Sequence, residues 1–229
     1  MEDKEKTAYE GNNNCSRRSF LSTALGSLLA VGMASGALAD EAEKTVKRPE
    51  RVNPERKGYI VPFGAQSLAN FHRRCVGCQL CVSSCPSRVL NVKASHKVIK
   101  AKYGLLNLEQ PAMSFENGYC RPECVKCSQV CPAGAILPLS ASRKTALQVG
   151  LAEWNGDVCR NSNGIPCTAC QKICPNGALT AVPLESDPKQ KQIVVDPERC
   201  MGCGACEYIC PCRPAPAICV NGLEVHRSV

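Results

Sequence analysis

Residues 200–211 read CMGCGACEYICP, and this short run decides what the fold is built around. Its four cysteines are separated by two, two and three residues and are followed by a proline. Cys200, Cys203 and Cys206 lie too close in sequence to pair in ordered disulfides, but three thiolates at these gaps can wrap one compact metal centre. The spacing C-x2-C-x2-C-x3-C-P is typical of cubane [4Fe–4S] sites, in which the fourth cysteine binds a neighbouring cluster.

The chain repeats this run three more times. One copy has the same gaps, the next has one extra residue in its first gap, and the third widens its first gap to seven residues. All four copies keep the C-x2-C-x3-C-P ending. We therefore predict that 16 of the 19 cysteines bind four [4Fe–4S] clusters. The motifs are 75–86 (Cys75, Cys78, Cys81, Cys85), 120–132 (Cys120, Cys124, Cys127, Cys131), 159–175 (Cys159, Cys167, Cys170, Cys174) and 200–211 (Cys200, Cys203, Cys206, Cys210).

Two other uses of cysteine are less consistent with this spacing. A disulfide framework would not need four thiols within about a dozen residues. Zinc sites usually separate two C-x2-C halves by a dozen or more residues, so a zinc-stabilised interaction module is a remote alternative. The colour and iron content of the purified protein distinguish these readings.

Net charge and aromatic content fit a core organised by cofactors. Each oxidised cluster with four thiolates carries about −2, so four clusters offset the formal net charge of +8. The sequence contains no basic run interleaved with aromatics, so we expect no nucleic-acid partner. Aromatic residues make up only 4 % of the chain, and we expect the metal-free protein to be largely unfolded.

The N-terminal segment predicts export. Residues 15–39 contain the pair Arg17 and Arg18, then a modest apolar stretch rich in Gly, Ser and Ala that ends in an A-x-A site before Asp40. This order is typical of a twin-arginine signal peptide, which exports proteins already folded and so protects cluster thiols from oxidation. The alternative is a membrane-spanning helix, and cleavage after Ala39 or retention as a membrane anchor is left open.

The rest of the chain predicts an α+β fold of tandem ferredoxin-like modules, with short strands and helices and long cluster-binding loops. We expect a short helix within 62–75 and a hairpin between 178–184 and 191–195. The predicted divisions are a signal peptide at 1–39, a charged linker at 40–60, the four-cluster domain at 61–220 and a C-terminal tail at 221–229.

The four motifs resemble those of polyferredoxin electron-transfer subunits. The twin-arginine start, "PFGAQSLANFHRRCVGCQLCVSSCP" and the widened "CRNSNGIPCTACQKICP" are most similar to the ferredoxin-type G subunit of the periplasmic nitrate reductase system and its methylamine-utilisation relative. The resemblance implies a periplasmic electron carrier that relays electrons from a membrane-embedded quinol-oxidising ferredoxin-type protein toward a terminal reductase or its cytochrome. An iron–sulfur subunit of another molybdenum oxidoreductase or of a hydrogenase complex is the alternative.

No sequence feature indicates a catalytic site, since the chain has no nucleophile elbow, phosphate loop or dinucleotide fingerprint. We therefore expect an electron carrier that is not itself an enzyme. The competing hypothesis counts the chain as an oxidoreductase subunit, because quinol oxidation or substrate reduction occurs in its bound partner. Turnover of quinol by the isolated protein would favour the second hypothesis.

Two features of the ligand set stay open. In related four-cluster subunits the first motif pairs with the fourth and the second with the third, and the matching irregularities of the second and third motifs agree with that pairing. Pairing of sequence neighbours is the alternative. The chain departs from the family pattern at Cys212, which competes with Cys210 as the last ligand; Cys210 keeps the gap of three.

Overall fold

The computed structural model describes residues 50–92, 109–185 and 187–228. Within these ranges the chain forms six short helices and six strands. The helices are α1 Leu68–Arg74, α2 Leu80–Ser83, α3 Lys126–Gln129, α4 Ala141–Thr145, α5 Ala169–Ile173 and α6 Ala205–Ile209. The strands are β1 Leu90–Asn91, β2 Ala112–Met113, β3 Leu147–Trp154, β4 Leu179–Pro183, β5 Lys191–Val195 and β6 Ile218–Ser228.

The strands pair into three antiparallel two-stranded sheets, β1–β2, β3–β6 and β4–β5. In the first, Leu90 lies opposite Met113, and in the last, Leu179 lies opposite Val195. The predicted hairpin between 178–184 and 191–195 is therefore confirmed. The longest sheet joins β3 to the C-terminal strand β6, with a register shift between Gln148 and Gly150.

Helix α1 confirms the predicted helix before the first motif. Ser67 caps it, because its side-chain oxygen accepts a hydrogen bond from the Asn70 amide at 3.1 Å. Leu68 and Phe71 face the core, and basic residues in the last turn suit the negative end of the helix dipole. The helix ends at Arg74, so it delivers the chain directly to Cys75.

The packed domain extends beyond the predicted limits of 61–220 at both ends. Tyr59 and Ile60, placed in the linker by the sequence, are buried core residues. Arg56, also in the predicted linker, forms an ion pair with Glu207 at 2.6 Å. The predicted tail from 221 continues strand β6 as far as Ser228. Both segments therefore pack against residues that are far away in sequence and that only the fold brings near.

The predicted signal peptide at 1–39 and the part of the linker up to residue 49 lie outside the described residues. In the ranges that the structure describes, no helix is long and apolar enough to cross a membrane.

Apolar side chains and cysteines share one core. Phe63, Phe71 and Phe115 are among its fully buried side chains. Buried thiols from the first, third and fourth motifs lie in the same cluster of residues, and half-buried thiols of the second motif pack against it. Gly204 shows how closely the loops pack, because a Cβ there would lie 2.2 Å from the Phe115 ring and its φ is +78°. Only glycine fits this position.

Candidate iron–sulfur centres

Site A combines the first three cysteines of the first motif with the last cysteine of the second. Its four thiols line one pocket. Burial, and after it nearby thiols that include Cys131, raise the pKa of the Cys81 thiol to about 11. Since thiols influence each other's pKa only when they are close, Cys131 belongs with the first motif. Site A is Cys75, Cys78, Cys81 and Cys131.

Site B is the reciprocal arrangement, with three thiols of the second motif and the last thiol of the first. These four cysteines also line one pocket. Burial raises the pKa of the Cys127 thiol to about 12, and among the nearby thiols that add to this effect is Cys85. Site B is Cys85, Cys120, Cys124 and Cys127.

The third and fourth motifs exchange their last thiols in the same way. Burial first, and then nearby thiols that include Cys210, raise the pKa of the Cys170 thiol to about 11. Cys174 lines one pocket with the thiols of the fourth motif and contributes, after burial, to raising the pKa of Cys203 to about 12. Site C is Cys159, Cys167, Cys170 and Cys210, and site D is Cys174, Cys200, Cys203 and Cys206.

This grouping overturns the favoured pairing of the first motif with the fourth and the second with the third. The sequence neighbours pair instead, because the antiparallel strands between them fold one motif back onto the other. Strand β1 follows the first motif and pairs with β2, which precedes the second. Strands β4 and β5 stand in the same relation to the third and fourth motifs.

The irregular gaps in the second and third motifs reflect loop conformation, not pairing. In the regular motifs the helix is entered through a left-handed residue, Gln79 with φ 59° or Gly204 with φ 78°. In the irregular motifs the matching residues, Val125 and Thr168, have φ values of −123° and −122°. The gap length therefore changes how the chain enters α3 and α5, and it says nothing about which motif lies opposite.

The last thiols of the third and fourth motifs are held alike. The sulfur of Cys174 accepts a hydrogen bond from the Ala178 amide at 3.3 Å, and the sulfur of Cys210 accepts one from the Ala217 amide at 3.3 Å. In the fourth motif this donor lies three residues further along the chain, and Cys212 lies in the extra segment. The shared hydrogen bond favours Cys210 as the counterpart of Cys174.

Cys212 nevertheless lies next to site C. Its thiol pKa is raised to about 11, first by burial and then by the adjacent thiol of Cys210, with a smaller effect from Cys159. The backbone amide of Arg160 donates a hydrogen bond to it. Site C thus has a fifth thiol within reach. Cys219 lies outside the four sites, half-buried on β6.

Four buried polar side chains hold the cysteine loops in place, and no sequence pattern marked them. Each donates a hydrogen bond to the carbonyl of a motif cysteine and is at most 5 % exposed. A buried carbonyl without a partner would be costly, so these side chains fix the loops. The pairs are Gln110 to Cys75 at site A (2.9 Å), Lys144 to Cys124 at site B, Asn161 to Cys167 at site C (2.7 Å) and Gln148 to Cys200 at site D (2.6 Å).

Lys144 is the one charged member of this set. Its ammonium also donates to the Arg121 carbonyl and lies 5.0 Å from the centre of the Phe63 ring. It further donates a hydrogen bond to the Cys120 thiol. Burial raises the pKa of this thiol, and the charge of Lys144 acts in the opposite direction and lowers it. Site B therefore has a buried positive charge against one of its thiols.

The donor set fits [4Fe–4S] clusters. Each site offers four thiols from two motifs, and at sites A, B and D these thiols line one pocket. Within the described ranges, no three His, Cys, Asp or Glu side chains converge closely enough to hold a single ion. Burial first, and then neighbouring thiols, raise the pKa of several of these thiols, among them Cys81, Cys127, Cys170 and Cys203. A cationic iron–sulfur core would relieve that repulsion. Ligation by the sixteen cysteines stays a prediction.

Comparison with known proteins supports this cofactor class. Residues 74–135 and 165–213 match the family described as 4Fe-4S dicluster domain. The first range contains sites A and B, and the second contains site D and all of site C except Cys159. The two matched ranges agree with the exchange of thiols inside each half of the domain.

The curated relatives that the chain matches are ferredoxin-type proteins, and the matched segments span about 62 to 69 % of their length. The chain is 32 % identical over 154 residues to the methylamine utilization ferredoxin-type protein MauM of Methylobacillus flagellatus, covering 65 % of this chain and 62 % of that protein. It is 31 % identical over 164 residues to MauM of Methylophilus methylotrophus, covering 69 % of each. It is 26 % identical over 209 residues to the ferredoxin-type protein NapG of Haemophilus influenzae, covering 86 % of this chain and 68 % of that protein.

Proposed function

Because the chain belongs to the ferredoxin-type proteins with 4Fe-4S dicluster domains, we propose that it is a periplasmic electron carrier built from two tandem ferredoxin-like modules with four [4Fe–4S] clusters. Sites A and B form the first module, and sites C and D form the second. When bound, each cluster would take up and release one electron. The protein supplies the thiols, the hydrogen bonds to their loops and the charges around them.

The exchange of last thiols between paired motifs is the observation that carries the proposal. A single-cluster or zinc module has no use for a cysteine that crosses to a neighbouring site, whereas two-cluster ferredoxins use their fourth cysteine in this way. The exchange occurs at Cys85 with Cys131 and again at Cys174 with Cys210.

Metal analysis tests the cofactor content. Anaerobically purified full-length protein should contain about sixteen iron and sixteen acid-labile sulfide per chain. The proposal predicts that all of the iron belongs to [4Fe–4S] clusters by Mössbauer or electron paramagnetic resonance (EPR) spectroscopy. Zinc in place of iron, or a reproducible iron content of about eight, would contradict it.

The proposed electron path begins at a membrane-embedded quinol-oxidising ferredoxin-type protein and leads toward a terminal reductase or its cytochrome, of the nitrate reductase type. The relative named NapG supports this partner system. Membranes of the native host supplied with a quinol should reduce the protein, seen as bleaching of its visible absorbance. Membranes without the quinol are the control, and bleaching by quinol alone would assign quinol oxidation to this chain.

A role in methylamine utilization is a second candidate, because the MauM relatives match the chain at a higher percentage identity, 32 % over 154 residues and 31 % over 164 residues, than the NapG relative, 26 % over 209 residues. Deletion of the gene separates the two candidates. Loss of nitrate-dependent growth supports the first candidate, and loss of growth on methylamine supports the second.

Export by the twin-arginine route is the remaining part of the proposal. Replacing Arg17 and Arg18 together with lysine should leave cluster-loaded protein in the cytoplasm. Undiminished accumulation in the periplasm would exclude this route. The N-terminal residue of the exported protein shows whether Ala39 is the cleavage site.

A further inference from the structure

Neighbouring sites meet at three places. Inside the first module, Cys85 of the first motif lines the pocket of site B, and Cys131 of the second motif lines the pocket of site A. Inside the second module, Cys174 of the third motif lines the pocket of site D, and helices α5 and α6 pack against each other. The exchange of last thiols therefore joins the two sites of each module.

The third place joins the two modules. The backbone amide of Cys120 in site B donates a hydrogen bond of 3.0 Å to the carbonyl of Cys203 in site D. One residue before Cys120, the ring of Tyr119 lies 6.0 Å from the ring of Tyr208 on α6. Sites B and D are therefore in direct contact.

The contact region between sites B and D is closely packed. Phe115, which is fully buried, lies against Gly204, the residue that follows Cys203. The guanidinium of Arg56 covers the same ring at 5.2 Å and also pairs with Glu207 of α6. Such packing holds sites B and D at a fixed separation.

Exposed apolar side chains flank the cysteines of sites A and C. Cys78 of site A is exposed, and it lies between Val76 and Leu80, which are 73 % and 47 % exposed. At site C, Val158 and Ile165 are 42 % and 46 % exposed and stand beside the motif cysteines. All three motif-four cysteines of site D are buried.

We infer that the four sites form a single line in the order A, B, D, C, with the contact between Cys120 and Cys203 as the junction between modules, so that electrons cross the molecule between site A and site C. The inference rests on the proposed function, because each site must hold a cluster. Electron transfer slows steeply with distance, so contacts between neighbouring sites set the path. An electron that enters at the exposed edge of site A reaches site C only through sites B and D.

Magnetic coupling between reduced clusters tests the order without a partner protein. In fully reduced protein, paramagnetic clusters in contact split and broaden each other's EPR signals. The variant Cys124→Ala/Cys127→Ala removes site B, and Cys200→Ala/Cys206→Ala removes site D. Each should lose about four iron. Cys219→Ala, which changes a thiol outside the sites, is the control and should retain both the iron and the coupling.

The expected pattern differs for each possible junction. Without site B, site A should give an uncoupled signal while C and D remain coupled. Without site D, site C should give an uncoupled signal while A and B remain coupled. Three coupled signals in either variant would place the junction elsewhere and overturn the order. If a double variant fails to fold, Cys124→Ser marks site B by shifting its signal, and the signals that share its splitting then identify its neighbours.

The proposed function and the order of the four sites are contradicted by different results. Wild-type protein without about sixteen iron would contradict the proposed function. Protein with four clusters but another coupling pattern would overturn the order and leave the proposed function standing.

Discussion

At the scale of single residues, the four polar side chains that bind cysteine carbonyls differ in charge. Gln110, Asn161 and Gln148 are neutral amides, whereas Lys144 brings an ammonium to site B. The lysine is 1 % exposed, so water screens its charge little. A positive charge beside a thiolate favours the reduced, more negative state of a bound cluster.

Replacing Lys144 with glutamine should therefore lower the reduction potential of site B. A full charge this close, at an effective dielectric constant of about 20, changes a one-electron potential by on the order of 100 mV. An EPR-monitored redox titration measures the shift. Lys144→Arg keeps the charge and is the control, with a much smaller expected shift. Equal shifts in the two variants would show that the lysine acts through packing and not through its charge.

The fifth thiol at site C leads to a second prediction at this scale. Cys210→Ala should remove the site C cluster or convert it to a three-iron form, whereas Cys212→Ala should leave iron content and spectra nearly unchanged. The reason is that Cys210, like Cys174, accepts a hydrogen bond from an alanine amide in the segment that follows it, whereas the amide bonded to Cys212 is that of Arg160.

Cys174→Ala at site D is the matched control for this pair of variants, because its expected outcome is loss or conversion of one cluster. Iron analysis and EPR spectra of the oxidised proteins measure all three. If Cys210→Ala keeps a full cluster with a shifted potential, Cys212 has replaced it. Loss of a cluster in Cys212→Ala alone would contradict the assignment of Cys210.

At the scale of elements, helix α6 is tied to the segment that precedes the core. Arg56 binds both carboxylate oxygens of Glu207, at 2.6 and 2.9 Å, and also the Val220 carbonyl at 2.6 Å. The Glu207 carboxylate in turn accepts a hydrogen bond from the Val220 amide at 2.8 Å. One buried ion pair therefore connects α6, strand β6 and the segment from residue 50.

Arg56→Met should destabilise the loaded protein strongly, because it leaves the carboxylate of Glu207, 1 % exposed, without its cation. Breaking such a pair costs about 3 kcal/mol, or about 10 °C in the thermal midpoint of a domain of this size.

The exposed pair of Lys57 and Glu153, also 2.6 Å apart, is the matched control. Lys57→Met should change the midpoint by less than about 3 °C, since exposed ion pairs contribute little. Similar losses in the two variants, measured by differential scanning calorimetry under anaerobic conditions, would contradict this account of α6.

At the scale of the whole molecule, thiols occupy positions that apolar side chains fill in other domains of this size. Among the described residues, the buried core includes Cys81, Cys159 and the five cysteines between residues 200 and 212, while aromatic residues make up only 4 % of the chain. Without metal, buried thiols gain no compensating bonds. We therefore expect the clusters to contribute much of the folding free energy.

Removing iron with an oxidant and a chelator should largely unfold the chain, with loss of the far-ultraviolet circular dichroism of its short helices and of its cooperative thermal transition. Anaerobic reconstitution with iron and sulfide should restore both signals. Untreated protein carried through the same buffer exchange is the control. A metal-free protein that keeps a cooperative transition would show that its apolar core folds unaided.

The sequence by itself determined the class of cofactor, the sixteen cysteines predicted to bind it, the helix before the first motif and the β4–β5 hairpin. These features are local, because the gaps between thiols and the alternation of side chains act over a few residues. Only the tertiary structure decided which motifs exchange their last thiols, which of them meet at Cys120 and Cys203, and that Lys144 lies against site B. It also decided that Arg56 and strand β6 belong to the domain. Such contacts join residues that are far apart in sequence. They depend on the path of the chain between the motifs, and the gaps between cysteines do not predict that path.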